Sequence, residues 1–176
     1  MELVNRPVNL VNAQSFIEKH HRHSEPLKRH MWTIGAKTLG DWAGLQRWHL
    51  MGIATVDRCS SAWSKRRDRL EIRRLCVTED APANTCSFLL GHTKRAAWAL
   101  GYEALVTYTQ PHESGSSLKG AGFMITKRAA MYENADGTVT GGLIRWEAKC
   151  GHAPDGEDRK FTDDILKDLR HLTVDV

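Results

Sequence analysis

Glu71 and Arg74 stand in Leu70-Glu71-Ile72-Arg73-Arg74-Leu75-Cys76-Val77, a segment that alternates apolar and charged residues as a strand with one covered face does. Period two puts Arg73 on the face of Glu71 and leaves Arg74 with Ile72, turned toward apolar company. A buried arginine needs a carboxylate or phosphate partner, so this pair can serve chemistry or a structural ion pair. A second concentration lies nearer the start: His20, His21, His23 and His30, four of the nine histidines, with Arg22, Lys28 and Arg29 between them. Imidazoles act as general bases, metal ligands or proton-dependent phosphate contacts, and the same run also fits a solvated basic loop. His21 and His23 have no acidic or cysteine partner at a diagnostic spacing, so no metal is expected. Lys65, Arg66 and Arg67, with Arg69, form the densest positive run, which could grip a phosphate backbone or simply keep a loop soluble.

The elements that must carry these residues follow from periodicity. After the strand Leu70 to Val77, Asp80 and Pro82 break the pattern, and from Asn84 or Thr85 the residues Phe88, Leu89, Ala96, Ala97 and Leu100 recur at helical steps up to Gly101. Ala104 to Tyr108 reads as a second strand, and Ser114 to Gly122 as a short helix closed by Phe123. Two strands joined by such a helix make a βαβ-like unit, whose ligand sits at the carboxyl ends of the strands and the amino end of the helix. Asn84 or Thr85 could equally do no more than cap that helix. Before this unit, Val8 to His20 has a helical apolar stripe starting at Asn9 or Asn12, and Met31 to Ala36 and His49 to Val56 read as paired strands about a turn at 40–44. Trp32, Trp42, Trp48 and Trp63 gather in this half, where packing is the commoner role and base stacking the rarer. After it, Arg128 to Glu133 and Val139 to Ala148 read as closing strands about Ala135-Asp136-Gly137. The polar stretch 151–160 then leads to a helix over Phe161 to Leu172, which docks on the domain or on a second copy.

In this order the residues resemble the GNAT acyltransferases. The resemblance rests on strand, turn, long helix, strand and a small-residue helix ending in an aromatic, here Ser117-Leu118-Lys119-Gly120-Ala121-Gly122-Phe123. The strings RRLCV, APANTCSFLLG, RAAWALGY, LVTYT and ESGSSLKGAGF, with HHRH before them, narrow it to a phage and prophage GNAT-like branch. More distantly, Glu71, Arg74, Leu75, Asn84 and Ser87 are similar to the pattern of the Mom-like phage DNA-adenine-modifying proteins. The resemblance implies a mixed central sheet flanked by helices and acetyl-CoA as the acyl donor. It implies that Cys76, Val77, Asn84, Thr85, Ser87, Ser114 and Ser117 meet the coenzyme. Further, it gives Glu71 the activation of an acceptor amine, Tyr108 the protonation of the leaving thiolate, and His21 and His23 the acceptor side. One departure is visible. The family's turn Arg/Gln-x-x-Gly-x-Gly/Ala, whose amides cradle the pyrophosphate, reads here Thr78-Glu79-Asp80-Ala81-Pro82-Ala83-Asn84-Thr85, with no glycine and two carboxylates. The helix amino terminus and the Thr85 and Ser87 hydroxyls are the donors that remain.

Composition bounds the rest. The 176 residues are 41% hydrophobic and 26% charged, which fits one α/β globular domain with a core, here 1–150, followed by a polar linker and helix at 151–176. No stretch is apolar enough to span a membrane, and Glu2, Asn5 and Arg6 do not begin a secretory signal, so a cytoplasmic protein is expected. Cys59, Cys76, Cys86 and Cys150 form no Cys-x-x-Cys pair and read as reduced thiols. A net charge of +4 permits polyanion contacts without requiring them. The expected function is acyl transfer to an amine, with Mom-like modification of a DNA base as the alternative and a non-catalytic binding protein on the same scaffold as a second.

Overall fold

The computed structural model describes residues 2–20, 27–42, 45–59, 68–128, 131–133 and 139–172. Nine strands and four helices lie among them, in the order β1 (Val4–Pro7), α1 (Leu10–His20), β2 (Trp32–Trp42), β3 (Leu45–Arg58), β4 (Arg69–Val77), α2 (Thr85–Ala99), β5 (Ala104–Thr109), α3 (Ser116–Gly120), β6 (Met124–Arg128), β7 (Met131–Glu133), β8 (Val139–Gly141), β9 (Ile144–Lys149) and α4 (Gly156–Leu172). Seven strands form one sheet in the order β1-β2-β3-β4-β5-β9-β6, and β7 and β8 pair separately. Among the described residues, β4 and β5 are the one pair of neighbouring strands that run parallel, joined by the crossover helix α2. The result is the expected single α/β domain with a mixed sheet.

Burial divides the sheet into two faces. Leu89, Leu90, Thr93 and Ala97 are the buried stripe of α2. Leu90 and Ala97 pack with Val56, Leu70, Ile72, Leu105, Ile144 and Trp146 in the main core. On the other face, Ala13, Phe16 and Ile17 of α1 pack on Ile53 and Cys76. Fully burying a side chain of this size contributes about 1.5–3 kcal/mol, so the two clusters hold β4 firmly between helices. Asn9 starts α1, its Oδ1 accepting from the Asn12 amide at 2.9 Å.

Several sequence expectations need correction. The turn placed at 40–44 is shorter, because the ladder continues through Gly40↔Arg47, Asp41↔Gln46 and Trp42↔Leu45. Gly40 sits inside a strand because a Cβ there would lie 2.8 Å from His49 Cδ2. Arg128 belongs to β6, which pairs with β9, whereas Met131 to Glu133 form β7, which pairs with β8. Likewise Val139 to Ala148 divides into β8 and β9, with Gly142 and Leu143 between them. The last helix begins at Gly156 rather than Phe161, since the Asp158 amide donates to Asp155 Oδ1 at 2.9 Å and the Asp155 amide returns to Asp158 Oδ2 at 3.3 Å. Leu166 brings this helix into the main core.

Gly115 fixes the approach of β5 to α3. Its φ is +61°, and a Cβ would lie 2.3 Å from Trp146 Cζ2. Gly115→Ala is therefore expected to lower unfolding stability by about 2 kcal/mol or more, read by urea titration, through both left-handed strain and displacement of a buried tryptophan.

Candidate functional site

β4 and β5 pair only over Arg69↔Ala104, Leu70↔Leu105 and Glu71↔Val106. Beyond that point they part, and a side-chain bond from Thr107 Oγ1 to the Ile72 carbonyl at 3.2 Å ties them where they diverge. The parting follows from β4 itself. Thr55 faces Arg74 and Val56 faces Ile72, so Arg73 is an extra residue in the ladder with β3. Such a bulge bends its strand and increases the local twist. Between the strands lies a cleft of about 600 Å³ whose lining includes Glu71, Arg73, Arg74, Tyr108, Gln110 and His112.

The bulge overturns the expectation that Glu71 and Arg74 occupy opposite faces. Glu71 lies opposite Asp57 and Arg74 opposite Thr55. Thr55 and Asp57 are two residues apart on one strand, so their partners share a face, and the extra residue has cancelled the alternation. This face carries charge. Glu71 is 6% exposed, with Arg73 Nη1 at 3.4 Å from its Oε1. Arg74 donates from Nη1 to the Arg73 carbonyl at 2.8 Å. On β9, Glu147 Oε2 holds both Arg145 Nη2 at 2.7 Å and Arg69 Nη1 at 3.2 Å. Arg29 Nε approaches Asp57 Oδ2 at 3.3 Å. Buried carboxylates survive here because each has a guanidinium beside it. Asp57, Arg145 and Glu147 were not singled out from sequence, although each is a charge set at alternate positions in an otherwise apolar strand.

The cysteines of the site are thiols. Burial pushes Cys59 up to about 11, and the nearby Glu71 carboxylate acts in the same direction against Arg145, Arg69 and Arg73. Burial also pushes Cys76 up to about 11, and raises Cys86, against which a hydrogen bond with Ser117 works. None is an activated nucleophile.

The remaining sequence candidates fall in three groups. Cys76, Val77, Thr85 and Cys86 line a second cavity of about 1120 Å³, between the turn at 78–83 and Glu18, Lys19 and His20 at the end of α1. Asn84 occupies the cap position of α2 without a side-chain capping bond, and Ser87 is exposed in its first turn. Thr85 is 1% exposed and its hydroxyl donates to the Pro82 carbonyl at 2.7 Å, so it is committed to the turn. Ser114 Oγ accepts from the Ser116 amide at 3.4 Å just ahead of α3, whereas Ser117 faces Cys86 across the two helix starts. His21 and His23, and Lys65, Arg66 and Arg67, lie outside the described residues.

The cavity and cleft suit a coenzyme A thioester unevenly. Among the described residues no strand pairs with the β5-facing edge of β4 past Ile72, which leaves backbone groups for the amides of an extended arm. The α2 amino terminus adds amides of its first turn. At the turn the fit is poorer. Pro82 offers no N–H, the Ala81 amide donates to Thr78 O at 3.2 Å, and the Thr85 amide to Pro82 O at 2.9 Å.

No protein-family model matches the chain, and no curated protein matches it. Solved structures do. The Arabidopsis thaliana NAA60 in complex with acetyl-CoA superposes with a TM-score of 0.64 at 13% identity, over 86% of this chain and 100% of that one. The IAA acetyltransferase from Bacillus cereus gives 0.59 at 18% identity, over 84% and 99%. A GNAT family acetyltransferase from Elizabethkingia anophelis with acetyl-CoA bound gives 0.58 at 14%, over 84% and 97%. At these identities the likeness concerns the fold, which is that of the GNAT acetyltransferases.

Native thiol labelling checks the electrostatics. With a thiol near 11, the thiolate fraction at pH 8 is about a thousandth. Iodoacetamide at that pH is expected to modify exposed Cys150 well before Cys59 or Cys76, with the latter two speeding up about tenfold per unit of pH. Peptide mass spectrometry reads the order.

Proposed function

We propose that the protein transfers an acyl group from acyl-CoA to an amine in the cleft between β4 and β5. The observation that carries this reading is the parting of the two strands immediately after buried Glu71, with Tyr108 on the facing strand at the same cleft. Acyl-CoA supplies the activated thioester. The chain supplies position, a proton acceptor and a proton donor. Glu71 accepts the proton that the amine releases as its lone pair forms the new bond to the acyl carbon. Tyr108 donates its hydroxyl proton to the departing sulfur, and recovers one from solvent. Backbone groups on the open edge of β4 pair with the amides of the pantetheine arm, and a backbone N–H there donates to the acyl oxygen. The raised thiols favour direct transfer to the amine over an acyl-cysteine route. We assign His21 and His23, which follow the last residue of α1 in the sequence, to binding of the acceptor.

Glu71→Gln tests the base. Transfer of acetyl from acetyl-CoA to a panel of small amines and peptides is expected to lose about 100-fold or more in kcat, with acetyl-CoA affinity by calorimetry largely retained. Retention of turnover with an unaltered pH profile would remove Glu71 from this role.

A further inference from the structure

Arg73 is poised to lose its counter-ion at the moment Glu71 works. Its side chain is 23% exposed, and Glu71 Oε1 at 3.4 Å is its ion-pair partner among the described residues. Its Nε is buried and makes no hydrogen bond. If Glu71 takes the amine proton, the carboxylate becomes neutral and a half-buried guanidinium stands beside it without compensation, a costly arrangement. The surrounding groups do not relieve it. Glu147 is already shared through one oxygen by Arg69 and Arg145, and the Arg145 Nε is likewise buried without a bond. Asp57, opposite Glu71 on β3, is held by Arg29. Cys59, within electrostatic reach of Glu71, Arg69, Arg73 and Arg145, is held as a neutral thiol by burial.

We propose that the acceptor brings the missing anion: a small amine that carries a carboxylate or a phosphate group, which settles on Arg73 as Glu71 receives the proton. This inference rests on the acyl-transfer reading and adds the acceptor's chemical class. Its amine lies at Glu71 and its anion at Arg73, so the acceptor is oriented by both charges, and Arg145 sets the positive background on the same face. A neutral amine of the same size would leave Arg73 uncompensated and be acylated more slowly.

Matched acceptors test it. Aminoalkyl carboxylates and aminoalkyl phosphonates are each compared with their neutral amide or ester, at fixed acetyl-CoA. The anionic member is expected to exceed the neutral one in kcat/KM by about tenfold or more, mostly through kcat, because Arg73 lacks its counter-ion only once Glu71 is protonated. In Arg73→Gln that ratio is expected to fall to about threefold or less, and in Arg73→Lys, which keeps the charge without the fork, to recover in part. Inorganic phosphate and succinate serve as separate probes, each as a competitive inhibitor against the acceptor and as a stabiliser in thermal shift. The probe that competes identifies phosphate or carboxylate as the source of the anion. Equal rates for anionic and neutral partners in the wild-type protein, or a preference unaltered in Arg73→Gln, would overturn the inference. Should no amine be acylated, the acyl-transfer reading itself fails. The thermal shift, run on Glu71→Gln, where Arg73 has no counter-ion, would still decide anion binding: stabilisation by either probe that is lost when Arg73→Gln is added supports it, and its absence overturns it.

Discussion

The site depends on one interruption of the sheet. β4 is committed to β3 from Leu70 to Val77 but to β5 for only three pairs, and the extra residue Arg73 is what turns its far half away. Each missing ladder bond forgoes about 1 kcal/mol, a cost the molecule meets by packing both faces of β4. Leu70, Ile72 and Leu105 are sealed under α2, and Cys76 lies under α1, so the strand can leave its neighbour without leaving the core. The open edge thus lies inside a rigid frame, which is what a cleft for an extended ligand requires.

That same interruption gathers the charge. With regular alternation, Glu71 and Arg74 would face opposite layers; with the bulge, Glu71, Arg73 and Arg74 all reach the cleft. Three carboxylates, Asp57, Glu71 and Glu147, are buried on this side of the sheet, and arginines accompany each. Removing a charge from water costs several kcal/mol, so such pairs are a weak source of stability and a strong source of orientation. A carboxylate held by a guanidinium at 3.4 Å is ordered before any ligand arrives. The raised thiols around it keep the local chemistry to oxygen and nitrogen groups.

Much of the central unit was legible from spacing. The strand at 70–77, the helix from Thr85 and the strand from Ala104 all fall within a residue or two of their places, because strong apolar periodicity and Gly101 punctuate them. What escaped has particular causes. β1 is a four-residue edge strand ending in Pro7, too short for alternation to show. Gly40 reads as a turn residue, yet it is in a strand because the His49 ring occupies the space over it. The bulge at Arg73 leaves no local mark, since it is set by register with β3, and it reversed the facing of Arg74. Thr85 was legible as a helix start but not as a hydroxyl spent on Pro82. The order of β6 and β9 depends on pairing between segments about twenty residues apart, which periodicity does not contain.

The central claim is that the open edge of β4 receives the donor arm. Hydrogen–deuterium exchange of the full chain, with and without acetyl-CoA, tests it most directly. Binding should protect amides between Arg73 and Val77 and in the first turn of α2, leaving β2 unaffected. Saturating acetyl-CoA with no protection on β4, or protection confined to another part of the sheet, would contradict it.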